Sequence, residues 1–196
     1  MVPMQILIFL FTLYFFIIGF CGMWRRHEKK ILTPQKTFAI IIAAHNEHAV
    51  IGQLVKNLQQ QNYPKGMYDT YVIADNCSDD TADIAREAGA IVCERTHPTK
   101  KSKGDALDWM FARLFKMKKQ YDAVVVFDAD NLVHPNFLLE MNNRLCKGDK
   151  VIQGYLDAKN PYDTWVSGTF AIAFWVICHI SHLAKSNIGL SACLGG

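Results

Sequence analysis

From residue 37 onward, short apolar runs alternate with stretches of helical spacing, and this alternation restricts the fold more than any other feature. Thr37–Ala44, Asp69–Ala74, Ala90–Glu94, Ala123–Phe127 and Lys150–Leu156 read as strands, rich in Ile, Val, Ala and Phe. Glu47–Gln61, Asp79–Ala88 with Gly89 as its stop, Ser102–Lys119 and Pro135–Cys146 place apolar residues at helical intervals. Strands and helices alternating at this period predict an α/β architecture, a mostly parallel sheet covered on both faces. Its ligands are expected beyond the carboxyl ends of the strands. With 51% hydrophobic residues, the chain has material for a sizeable core and is no disordered tail.

The beginning of the chain differs. Met4–Trp24 contains no charged residue, and as a helix it would be about 32 Å long, close to the thickness of a bilayer's hydrocarbon. Arg25, Arg26, Lys29 and Lys30 follow at once, and the positive-inside bias places what comes after them in the cytosol. A cleaved signal peptide would carry its positive residues before the apolar run, so a signal anchor is expected. The cluster Arg25–Lys30 accounts for the whole formal charge of +3. The remainder is balanced, which argues against a general nucleic-acid binder. A second apolar stretch, Trp165–Ala184, is interrupted by Ser167, Gly168, His179, Ser181 and His182, and is expected to be an amphipathic helix on the cytosolic domain, facing the membrane, with a second membrane span as the alternative. The six cysteines are scattered without a C-x-x-C pair and read as reduced thiols.

If the sheet reading is right, polar residues should gather where each apolar strand stops. His45-Asn46-Glu47 ends the first strand, Asp75-Asn76-Cys77-Ser78-Asp79-Asp80 the second, and Asp128-Ala129-Asp130-Asn131 the fourth, while Lys100, Lys101 and Lys103 precede the long helix. Asp128 and Asp130 suit a small hard cation, magnesium or manganese, whose other ligands are water and phosphate oxygens; an acidic solvated turn is the plain alternative. Lys103-Gly104 opens a helix, where an anion is favoured, or is simply a basic loop. Asp75 can accept hydrogen bonds from a base or ribose. Glu47 is either a first-turn helix acid or a nucleoside contact, and Asp79 has the character of a helix cap. No G-x-G-x-x-G follows the first strand and no Walker loop occurs, so phosphate would be held by metal and lysine.

The segments Ala43-Ala44-His45-Asn46-Glu47, Ala74-Asp75-Asn76-Cys77-Ser78-Asp79-Asp80-Thr81, Lys103-Gly104-Asp105-Ala106-Leu107 and Phe127-Asp128-Ala129-Asp130-Asn131, in this order, resemble family 2 of the inverting glycosyltransferases. Within it, the membrane-anchored synthases of the cellulose, hyaluronan and poly-N-acetylglucosamine type are most similar. The resemblance implies a GT-A fold, incomplete at its C-terminal side, behind one transmembrane helix. The expected division is 1–24 as anchor, 25–36 as basic juxtamembrane linker and 37–196 as the N-terminal part of the catalytic domain. It further implies a nucleotide-sugar donor, usually a UDP-sugar, with Glu47 and Asp75 toward uridine, Lys103 at the diphosphate, Asp128 on the nucleotide side and Asp130 on Mg or Mn. Ala44 and His45 stand where many relatives have a hydroxyl residue and Tyr.

The implied reaction is inverting transfer of a sugar to a glycan or lipid acceptor, by an enzyme at the cell membrane that crosses once and keeps its catalytic domain in the cytoplasm. Relatives carry an acidic general base after the segment resembling Leu194-Gly195-Gly196, and no Asp or Glu follows Asp163 in this chain. The base is therefore not expected within it, and a donor-binding fragment or subunit completed by a second polypeptide is the alternative. A sugar-phosphate nucleotidyltransferase is disfavoured by the lack of a glycine-rich signature near the first strand.

Overall fold

The computed structural model describes residues 2–22, 32–100 and 102–190. Arg25–Lys30, Lys101 and Leu194–Gly196 lie outside the described residues. In chain order the elements are α1 (Val2–Gly22), β1 (Phe38–Ala44), α2 (Ile51–Leu58), β2 (Tyr68–Asp75), α3 (Thr81–Glu87), β3 (Ile91–Arg95), α4 (Lys103–Leu114), β4 (Ala123–Asp128), α5 (Phe137–Cys146), α6 (Trp165–Val176), a π-helical turn (Ile177–Leu183) and α7 (Ala184–Asn187). They form two units, residues 31–152 and residues 1–30 with 153–196.

In the first unit the strands lie in the order β3-β2-β1-β4, all parallel. β1 is central, and its unbroken apolar run follows from burial on both faces. Phe38, Ile40, Ile42 and Ala44 meet α2, α3 and α5, whereas Ala39 and Ile41 meet α4 through Ala106, Met110 and Leu114. Alternation along the strands therefore decides which helix each residue meets. β1 continues into β2 on one side and has β4 on the other, so the connection reverses direction between β1 and β4.

Several boundaries depart from the sequence reading, each for a local reason. Ser102 lies outside α4 as its cap: its hydroxyl accepts from the Asp105 N–H at 3.1 Å, and the Asp105 side chain returns to the Ser102 backbone. The same helix ends at Leu114 rather than Lys119, because the next position on the stripe Ala106, Met110, Leu114 is an exposed lysine, Lys118. α2 is shorter than Glu47–Gln61; Gln61 is buried, but its amide donates to the His134 carbonyl and accepts from the Leu138 N–H instead of extending the helix. Gly89 does end its helical segment, in a left-handed conformation with φ 95°.

Lys150–Leu156 forms no strand. Val151 and Tyr155 are exposed and no described strand pairs with the segment, so its alternating pattern gains no ladder. The segment 32–36, expected as a plain linker, is instead tied to α5. Buried Asn142 accepts from the Gln35 and Lys36 N–H groups at 2.9 and 3.1 Å and donates to the Thr33 carbonyl, and Asn143 accepts from the Leu32 N–H at 2.8 Å.

In the second unit, α1 and the helical run Trp165–Asn187 are each long and apolar enough to cross a membrane. α6 has no buried residue, and Trp165, Phe170, Ile172 and Trp175 are exposed. The run packs with α1, and Asn187 donates to the Cys21 carbonyl at 3.0 Å. A side chain at Gly22 would come within 2.5 Å of the His179 carbonyl, so close helix approach explains this glycine. The expected amphipathic helix on the α/β unit is thus a largely apolar helix grouped with α1.

Candidate active site

The carboxyl ends of β1, β2 and β4 and the first turn of α4 enclose a pocket of 430 Å³, at the point where the connection reverses. Glu47, Asp75, Lys103, Asp128 and Asp130 all line it, together with His45. Asp75 and Asp128 are the last residues of β2 and β4, and both fall on the sheet face covered by α4. A larger open depression of 590 Å³, on the outer side of α2 between His48, Lys56, Gln60 and Leu132, holds no carboxylate and is a surface groove.

Two asparagines shape the loops. Asn46 and Asn76, each shortly after a strand, have φ of 55° and 50°, a left-handed conformation that Asn tolerates better than most residues. Asn46 Oδ1 accepts from the Ser78 N–H at 2.8 Å, and Asn76 Oδ1 accepts from the His97 N–H at 2.9 Å. The loop after β1 is thereby tied to that after β2, and the latter to the one after β3. Thr81 adds a further tie: its hydroxyl accepts from the Glu47 N–H at 2.8 Å and donates to Asp79. Asp79 also accepts from the Thr81 N–H at 3.1 Å and pairs with His48 Nδ1 at 2.7 Å; it is not the cap expected of it, since Asp80 stands at the N-cap of α3 and Asp79 reaches the helix start from one position before. These contacts, the Thr81 hydroxyl foremost, hold the Asp79 carboxyl well below the usual carboxylate range.

Four of the five charged side chains have distinct surroundings. Asp75 is 4% exposed and forms an ion pair with Arg95, which is 6% exposed; its backbone carbonyl accepts from His45 Nδ1 at 2.7 Å. Because a carbonyl only accepts, that bond puts a proton on His45 Nδ1. Lys103 pairs with Asp128. Asp130 lies two residues on, its carboxylate near the Asn131 amide at 3.5 Å, while Asn131 Oδ1 accepts from the Asp128 N–H at 3.1 Å and fixes the turn. At the start of α4 the capping box uses the amides of Ser102 and Asp105 internally, so the Lys103 ammonium, rather than the helix end alone, is what an anion would meet.

Among the described residues no group of three or more His, Cys, Asp or Glu is placed to hold a metal ion. This donor set suits magnesium or manganese better than zinc. Two carboxylates, Asp128 and Asp130, lie on one loop beside a lysine, and a cation there would draw its other oxygens from water and phosphate. Arg95, Thr81 and the two left-handed asparagines escaped the sequence reading. The signal for the asparagines was available, since Asn directly behind a buried strand is a common left-handed position.

A family model described as "Glycosyltransferase like family 2" matches residues 34–196. The chain belongs to that family. Beta-monoglucosyldiacylglycerol synthase of Nostoc sp. (strain PCC 7120) is 34% identical over 122 residues, which cover 60% of this chain and 25% of that protein. The chain thus matches about a quarter of that relative's length. Among solved structures, a mannosyltransferase from Pyrobaculum calidifontis in complex with GDP-Man and Mn2+ superposes with a TM-score of 0.58 at 18% identity, covering 80% of this chain and 45% of the other. Glucosyl-3-phosphoglycerate synthase from Mycobacterium tuberculosis, in complex with phosphoglyceric acid, gives 0.52 at 22% identity, covering 76% and 56%. The fold is GT-A-like, a parallel sheet with flanking helices, as the sequence implied.

Proposed function

We propose that this chain carries the donor-binding half of a membrane-associated glycosyltransferase, which moves a sugar with inversion from a nucleoside diphosphate to a lipid or glycan acceptor. The observation that carries this reading is the convergence of Glu47, Asp75, Lys103, Asp128 and Asp130, from four separate segments, on one pocket at the strand ends. A nucleotide needs opposed chemistries, acceptors for its base and ribose and positive charge for its diphosphate. Asp75 and Glu47 supply the first, and Lys103 is the protein cation of the second. Asp130, with Asp128 beside it, would hold Mg or Mn, which when bound neutralises charge on the departing diphosphate. Both carboxylates lie where such an ion can share its ligands with phosphate, and the Pyrobaculum neighbour was solved with a nucleotide-sugar and Mn2+.

In the transfer, the acceptor hydroxyl oxygen bonds to the anomeric carbon as that carbon's bond to the diphosphate oxygen breaks, and the hydroxyl proton passes to a base. None of the five residues is assigned as that base. A lipid acceptor is favoured over a growing polysaccharide by the relative named for a glucosylated diacylglycerol and by the apolar helices α1 and Trp165–Asn187, which would keep the protein at a membrane. The basic cluster after α1 favours a cytoplasmic α/β unit. Calorimetric titration of the detergent-solubilised chain with UDP and GDP, with and without Mn2+, tests the reading. Metal-dependent binding of a nucleoside diphosphate is expected, and its absence for both nucleotides overturns the assignment.

A further inference from the structure

Asp75 and Arg95 are register partners on the adjacent parallel strands β2 and β3, so their side chains lie side by side on the face covered by α4. Both are almost fully buried, and a buried carboxylate beside a single guanidinium at the floor of a pocket is a costly arrangement to hold for packing alone. The bonds to the carboxylate are unequally shared. Arg95 Nη1 and Asn76 Nδ2 both donate to Oδ1, the latter at 2.9 Å. Asn76 is itself fixed, its N–H donating to the Arg95 carbonyl at 2.7 Å and its Oδ1 accepting from the His97 N–H. Oδ2 takes neither of these bonds, and Asp75 lines the pocket.

A carboxylate oxygen in a fixed direction only accepts hydrogen bonds. Uracil and guanine have a ring N–H to give it, whereas cytosine has a bare lone pair at the corresponding ring nitrogen and is repelled. A polar site that is left unpaired by the wrong partner discriminates more strongly than an apolar one.

We propose that Arg95 is a positioning residue for base selection: by engaging Asp75 Oδ1 it turns Oδ2 into the pocket, so that the site takes nucleoside diphosphates whose base donates a ring N–H and rejects those whose base does not. This rests on the donor reading above. Arg95 meets the nucleotide only through Asp75, and its removal leaves the lysine and the Asp128–Asp130 loop in place.

The experiment is calorimetric titration of the solubilised full chain with UDP, CDP and inorganic pyrophosphate in Mn2+, for the native protein, Arg95→Gln and Arg95→Lys, with circular dichroism to verify folding. The native chain is expected to prefer UDP to CDP by at least about tenfold. Arg95→Gln should lower UDP affinity by a similar factor, bring the UDP-to-CDP ratio near one and leave pyrophosphate binding unchanged; Arg95→Lys should restore part of the ratio. Should Arg95→Gln not fold, the ratio in Arg95→Lys decides, an intermediate value supporting the role. An unchanged ratio in the folded variants, or an equal loss for all three ligands, overturns it. Native protein that binds pyrophosphate but no nucleoside diphosphate overturns the donor reading instead, and this assignment with it.

Discussion

Lys103, in the first turn of α4, forms an ion pair with Asp128, the last residue of β4, across 25 positions of sequence, and each side chain is about half exposed at the pocket. Without a ligand the lysine thus neutralises the carboxylate nearest the proposed cation loop. A diphosphate would give the ammonium a second partner of like sign to the first. Lys103→Met is therefore expected to weaken UDP binding in Mn2+ by about tenfold or more, the worth of a charge-assisted hydrogen bond. The dependence of that affinity on salt should flatten in the same variant, measured by titration at two ionic strengths.

Asp130→Asn removes one charge from the loop after β4 without changing its size. Metal-dependent UDP binding should fall by at least about tenfold, or about 1.4 kcal/mol, while the residual metal-free affinity stays as in the native chain. Titration of Mn2+ at fixed UDP reads both quantities, and an unaltered Mn2+ requirement would remove Asp130 from the site.

The α/β unit should be sensitive to acid in a stated direction. Three aspartates have carboxyls held below the ordinary value: Asp79 through the Thr81 hydroxyl, Asp105 through the Ser102 hydroxyl and Asp122 through the Thr37 N–H. A depressed folded value means that the unfolded chain takes up protons first as the pH drops. The contribution is complete above the unfolded Asp value of about 3.9 and is lost as the pH falls below it through the folded values. Urea midpoints followed by circular dichroism should decline over that window, and Asp79→Asn should make the decline shallower.

Asn142 anchors residues 33–36 with its whole amide. Its Oδ1 accepts from two backbone N–H groups and from the Tyr63 hydroxyl, and its Nδ2 donates to Thr33. Asn142→Ala leaves buried donors unpaired and is expected to destabilise the unit by about 2–4 kcal/mol, measured by chemical unfolding. Substitution of the exposed Lys147, five residues on at the C-cap of α5, should change stability by no more than about 0.5 kcal/mol.

The grouping of the site was legible because its cause is periodic. Apolar strands announce themselves, and whatever polar residues follow them must lie along one edge of a parallel sheet; Glu47, Asp75 and Asp128 were located by that rule, and Lys103 by the helix start. What stayed hidden depends on partners distant in sequence. Arg95 looks like any basic residue after a short strand until register sets it beside Asp75. Lys150–Leu156 has the alternation of a strand, yet a strand exists only with a neighbour, and none of the described segments pairs with it. Nothing in the helical spacing of Pro135–Cys146 sets Asn142 and Asn143 apart, and only the docked segment 32–36 reveals why they are buried.

The pairing of Asp75 with Arg95 also bears on how the outermost strand is aligned. Among the described residues β3 has one neighbour, β2, and Glu94 stands one position before Arg95, opposite Ala74. Sliding β3 by a single step would set Glu94 against Asp75, two negative charges at close quarters, and would send Arg95 to the opposite face. The pair therefore serves as a locating pin, and a lengthened or shortened turn between α3 and β3 would be tolerated only where it leaves that alignment intact.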